Sequence, residues 1–116
     1  MKFVMNDREW EIVEVNQAKM KELLEEHNDQ INEYGKYFGL TYIDDNMIYL
    51  AEEICKDQKR LSLMHELMHC YISCYISNGI ENFDEEMVCN ISANSHDIID
   101  KIVKEYFKDV REAGRR

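Results

Sequence analysis

The sequence predicts an α+β fold in one domain over residues 1–116, on three observations. A β-branched and aromatic run lies near the start, two short apolar runs flank an Asp-Asp-Asn turn in the middle, and helical periodicity fills the second half. A chain of 116 residues can bury one modest core and not two. With no proline and only four glycines, it is poor in turn formers and should be rich in helix.

The elements follow in order. Trp10 to Val15 reads as a first strand, from its β-branched and aromatic content. Asn16 is placed to cap a short helix from Gln17 to about His27, with Met20, Leu23 and Leu24 on one face. A polar stretch from His27 to Lys36 reads as a loop. Tyr37–Ile43 and Met47–Ala51 form a hairpin around Asp44-Asp45-Asn46, residues that tolerate turn conformations. Asp57 is placed to cap a long helix that runs to about Ser77 and stops at Asn78-Gly79. Asp84 is placed to cap a further helix from Glu85, and an amphipathic segment from about Ser95 to Val110 follows, either as a second helix or as the continuation of one bent at Asn94-Ser95.

A net charge of −10 argues against a broad footprint for nucleic acid or for an anionic membrane surface. The basic residues Lys56, Lys59 and Arg60, and the terminal Gly114-Arg115-Arg116, read as a helix start and a frayed tail. No apolar run reaches the roughly 20 residues that span a bilayer, and residues 1–14 have neither a basic leader nor an apolar signal core. A cytoplasmic, monomeric protein is the expectation. Cys55, Cys70, Cys74 and Cys89 are then reduced thiols that pack as small apolar residues, since they lack the paired spacing of a zinc ribbon or redox motif.

Residues 65–69 read His-Glu-Leu-Met-His, inside the long helix. Side chains four apart on a helix share a face, so His65 and His69 can converge on one ion. Glu66 lies about 100° round from His65, poorly placed to ligate but within reach of a metal-bound water. Zinc lowers the pKa of such a water towards ~7, and Glu66 is the expected catalytic base that takes its proton. Single histidines on a mixed helix are common without metal; two at this spacing around a glutamate are a much more specific signal.

Catalytic zinc normally has three protein ligands and a water. The HExxHxxGxxH solution fails, because its glycine would fall at Ile72 and its histidine at Tyr75. A glutamate on the following helix is the other common solution. Glu86 is the candidate, sharing a helical face with Cys89, Asn90 and Ala93, while Glu85 is the rival. Both also fit as first-turn acids favoured by the helix dipole. Asn90 or Asp84 can support a ligand histidine through its outer N–H. His96 and His27 are alternative third ligands, but both sit in polar, acid-rich surroundings and read as solvent-exposed.

With these residues in hand, the chain resembles the short zincin-like metallopeptidases of phages and mobile elements related to the ImmA/IrrE family. The resemblance runs from Glu9-Trp10-Glu11-Ile12-Val13 through Phe38-Gly39-Leu40-Thr41-Tyr42 and Ile48-Tyr49-Leu50. It continues through Leu63-Met64-His65-Glu66-Leu67-Met68-His69 to Glu85-Glu86-Met87-Val88-Cys89-Asn90. It implies a minimal gluzincin-like zincin domain, Zn2+ on His65, His69 and Glu86, and hydrolysis of a peptide bond in an intracellular protein such as a repressor. In zincins a strand edge beside the active helix binds extended substrate, and here the Tyr37–Ala51 hairpin is the candidate. Its Tyr42 and Tyr49 read as packing residues, with oxyanion stabilisation as the functional alternative. The competing function is a non-catalytic acidic binding protein that keeps a metal site. A purely structural zinc site would use four ligands, mostly cysteine, and fits poorly.

Overall fold

The structure, a computed structural model, describes residues 1–29, 31, 36–75 and 96–109. β1 (Lys2–Met5) and β2 (Arg8–Val15) form an antiparallel hairpin in which Phe3 lies opposite Trp10. Asn6 and Asp7 make its turn with φ of 50° and 63°. That left-handed pair matches the twist of the strands it joins, and Asn and Asp tolerate it. The sequence reading began the sheet at Trp10 and did not include β1; the strand starts earlier because this Asn-Asp turn folds residues 2–5 back onto it.

β2 leads into α1 (Gln17–Glu26), where the Asn16 side chain accepts the backbone N–H of Lys19 at 2.8 Å, the expected cap. Met20, Leu23 and Leu24 are its buried face. β3 (Gly39–Tyr42) and β4 (Met47–Ala51) are the expected hairpin, with a first strand shorter than Tyr37–Ile43. β4 pairs in parallel with β2, so the sheet order is β1-β2-β4-β3 and α1 lies within the crossover between the two central strands.

α2 (Lys56–Tyr75) and α3 (residues 96–109) cover one face of the sheet. Trp10, Ile12, Ile48 and Leu50 meet Leu63, Leu67, Cys70 and Tyr71 of α2 and Ile99, Ile102, Val103 and Tyr106 of α3 in one cluster. α2 starts one residue before Asp57, which therefore sits in the first turn, where a carboxylate complements the helix dipole, and not at the cap. The further helix expected from Glu85 lies outside the described residues, as does Cys89. Of the other thiols only Cys70 is fully buried; Cys74 is half-buried and Cys55 exposed, contrary to the expectation of buried packing. Among the described residues no helix is long and apolar enough to cross a membrane.

Polar ties fix the helices on the sheet. The Glu14 carboxylate receives both the Lys59 ammonium and the Tyr106 hydroxyl, joining β2 to α2 and α3. Arg8, stacked over the Trp10 ring, donates to Ser73 Oγ at 3.0 Å and to the Ile43 carbonyl at 3.1 Å.

The C-terminal end of α1 is closed by His27. Its Nδ1 donates to the Leu23 carbonyl at 2.8 Å and its Nε2 to Asp45 Oδ2 at 3.1 Å, while the ring stacks on Tyr42 with centroids 3.6 Å apart. Both partners are acceptors only, so only the doubly protonated ring satisfies both. The Leu23 carbonyl, followed by Asp45, accordingly raises the His27 pKa above its ordinary 6.5. A raised folded-state pKa contributes stability that is full below 6.5 and is lost as pH rises through the folded value. Urea midpoints should therefore show wild type more stable than His27→Gln at acidic pH, with the gap closing towards alkaline pH. A gap independent of pH would mean that the ring does not titrate in this contact.

Candidate metal centre

The phase of α2 is set by its apolar residues. Leu63, Leu67 and Cys70 recur at helical spacing and are wholly buried against the sheet. With that face committed inwards, His65 and His69 emerge together on the exposed side, and Glu66 falls at the boundary. The two Nε2 atoms lie 3.3 Å apart, with ring planes at 76°. Two nitrogens bound at about 2.0–2.1 Å to one tetrahedral ion would be separated by about 3.3–3.4 Å. The pair is thus already spaced for a shared ion. Partial desolvation of the His69 ring, and then the neighbouring His65, hold the His69 pKa below its ordinary value, favouring the neutral imidazole that ligates metal. His65, Glu66 and His69 form a group whose ligand atoms lie within 4.8 Å of one another and which can hold a metal ion.

Glu66 is only 6% exposed, and its Oε2 has no hydrogen-bond partner among the described residues. Burying a charged carboxylate with one oxygen unpartnered is costly, so its pKa is raised, with burial the main cause. The His65 ring, and then a hydrogen bond from the Thr41 side chain, act in the opposite sense, and the Thr41 hydroxyl also lies 3.4 Å from the Glu66 main-chain carbonyl, to which it donates. An orphaned acceptor beside two converging imidazoles suits a group whose partner is a metal-bound water.

β3 forms the wall opposite Glu66. Gly39 pairs with Leu50, and Thr41 with Ile48, so both face α2 as Leu50 and Ile48 do. A Cβ built on Gly39 would lie 3.0 Å from Glu66 Cγ and 3.3 Å from Cδ. The glycine is what lets strand and glutamate come so close. A cleft of about 460 Å³ opens between Phe38-Gly39 and the α2 residues Gln58, Leu61, Ser62 and His65, with Glu66 at its wall. Among the described residues β3 is an outer strand of the sheet, paired to β4 alone.

Tyr42 and Tyr49 project to the other face of the sheet by strand alternation. The Tyr42 hydroxyl donates to Asp29 and its ring lies against His27 and Tyr49. These are the packing roles expected of them, away from the histidine pair. His27 is committed to its own contacts and His96 is exposed at the start of α3; neither joins the His65–Glu66–His69 group. Glu86, Glu85, Asp84 and Asn90 lie outside the described residues. Gly39 and Thr41 were not singled out as site residues from the sequence, because their role depends on how closely β3 approaches α2. Cys70 follows His69 in sequence but points into the core, and burial pushes its thiol pKa far up, so it takes no part in the group. Compared with protein-family models, curated proteins and solved structures, the chain matches none.

Two outcomes follow from this geometry. Protein purified with zinc should carry about one ion per chain, and His65→Ala or His69→Ala should each abolish that content without loss of helix, since both rings are exposed. Elemental analysis and circular dichroism together test this; wild type that takes up no metal would refute it. Gly39→Ala should cost about 1–3 kcal/mol, as overpacked sites do, read as a lower denaturant midpoint at unchanged slope, while zinc content persists.

Proposed function

We propose that this protein is a zinc-dependent peptidase of the gluzincin-like zincin type, similar to the ImmA/IrrE family, acting on an intracellular protein. The observation that carries the reading is the 3.3 Å convergence of the His65 and His69 nitrogens beside the buried carboxylate of Glu66, whose Oε2 has no partner among the described residues. A structural zinc site has no use for such a carboxylate. The third protein ligand in this reading is Glu86.

When bound, the zinc supplies Lewis acidity, polarising a carbonyl and lowering the pKa of water to about 7. His65 and His69 would hold the ion on the exposed face of α2. Glu66 removes a proton from the attacking water as the new C–O bond forms at the peptide carbonyl. As the C–N bond breaks, the same carboxylic acid returns that proton to the leaving amine, so base and acid are one side chain. With no partner on Oε2 among the described residues, nothing there competes for the proton.

A peptide is favoured as substrate by what stands beside the group. The outer edge of β3 carries main-chain donors and acceptors that an extended segment can pair with. The strand also touches Glu66 through Gly39 and Thr41, so a segment on that edge runs past the carboxylate and the histidines.

The test is Glu66→Gln, which keeps size and removes basicity. The variant should fold and retain zinc, yet turnover should fall by at least the ~10²–10⁴ that general acid–base catalysis contributes. Substrates would be found by comparing intact proteins in cells that express wild type or variant. Identical proteomes together with an identical biological effect would replace the enzyme with a non-catalytic acidic binding protein.

A further inference from the structure

A second groove lies between the first turns of α2 and the outer half of α3. It has a volume of about 640 Å³ and is lined by Lys56, Asp57, Arg60, Asp100, Val103, Lys104, Phe107 and Lys108. Its charge runs against that of the molecule. The chain carries −10 overall, yet four cations and only two carboxylates line this groove.

The placement of those cations is unfavourable to the fold. Lys56 and Arg60 are four residues apart on α2, and Lys104 and Lys108 are four apart on α3. Like charges at that spacing repel on a helix surface. Here two such pairs stand on the two walls of one groove. Lys56 and Arg60 also occupy the start of α2, the positive end of the helix dipole, where cations are disfavoured. Internal neutralisation is partial. Lys104 pairs with Asp100 at 2.8 Å, and Lys56 lies over the Phe107 ring at 5.9 Å. No ion pair joins Arg60 or Lys108 to a carboxylate among the described residues. The local field is correspondingly positive. Asp100 is held below the ordinary carboxylate range, first by the Lys104 hydrogen bond and further by His96 and Arg60.

We propose that this groove binds an acidic peptide segment of a partner protein, its carboxylates on Arg60, Lys108 and Lys56 and an apolar side chain on the half-buried Phe107 ring. The apolar floor and the two carboxylates favour a peptide over nucleic acid. A phosphate backbone gains nothing from Phe107 and is repelled by Asp57 and Asp100, which can accept main-chain N–H groups. A polyanion also needs a broad basic footprint, which a net charge of −10 denies. A short acidic segment needs only a local one. The site stands apart from His65 and Glu66 and depends neither on metal nor on turnover.

The experiment uses the full chain and a fluorescein-labelled peptide of glutamates around one central leucine, read by fluorescence polarisation. Binding should be saturable, weaken as salt is raised, and be unchanged in Glu66→Gln. Arg60→Glu combined with Lys108→Glu should weaken it at least about tenfold, since like-charge juxtaposition at a contact is strongly unfavourable. Both side chains are exposed, so this variant should fold; circular dichroism checks that, and the milder Arg60→Gln with Lys108→Gln gives an intermediate loss. Equal affinity for the charge-reversed variant, or for a peptide with glutamines in place of the glutamates, overturns the proposal. So does a single-stranded oligonucleotide that binds more tightly than the peptide, or displacement of the peptide by equimolar inorganic phosphate, which would make this a small-anion site.

Discussion

The packing of α2 on the sheet constrains everything functional in this molecule. Leu63, Leu67 and Cys70 are wholly buried above Ile48 and Leu50, and burying a side chain such as leucine contributes about 1.5–3 kcal/mol. Turning α2 by one residue, about 100°, would expose those side chains and drive the histidines into the core. β2 also grips the helix near both ends: Glu14 holds Lys59, and Arg8 holds Ser73. The two anchor spans agree, about 20 Å for six residues of strand and about 21 Å for fourteen of helix. They run in opposite senses, so α2 lies antiparallel along β2. The position of the histidine pair is therefore a consequence of core formation and does not wait for a ligand.

Polar side chains refine what the core determines. Glu14 is satisfied twice, by Lys59 and Tyr106, and burial together with that carboxylate pushes the Tyr106 hydroxyl pKa upwards, keeping it a donor. Glu66 shows the opposite arrangement, a buried carboxylate with one oxygen left without a partner among the described residues. The contrast separates a carboxylate that ties elements together from one kept available. Cys70 shows the same economy beside the histidines: in the core and protonated, its sulfur does not compete with imidazole for a metal.

What could be read from the sequence divides along local and non-local lines. α1 was legible because Asn16 and the spacing of Met20, Leu23 and Leu24 are contained in one short stretch. The β3–β4 hairpin was legible from its turn, and the histidine pair from a five-residue spacing on one helix. β1 was not, since four residues carry little periodicity and its evidence lay in the Asn6-Asp7 turn. The parallel pairing of β2 with β4 joins residues more than thirty apart and has no local signature. Gly39 could not be tied to Glu66 without knowing that β3 runs beside α2, and Arg8 gave no sign that it bridges Trp10, Ile43 and Ser73. Glu86 was expected from ligand count, a rule of coordination chemistry and not of this chain's pattern, and it lies outside the described residues.

The outer edge of β3 has a consequence of its own. A chain laid along it must be extended, because helices and paired strands have already committed the backbone groups the edge would engage. Four residues of edge also carry little side-chain discrimination. Whatever docks there would be chosen first by conformation, from loops, tails or transiently opened segments, and only then by composition. In the proposed peptidase reading, the local unfolding free energy of a candidate partner would then govern its susceptibility, and the edge would sense looseness in other proteins more than it reads their sequences.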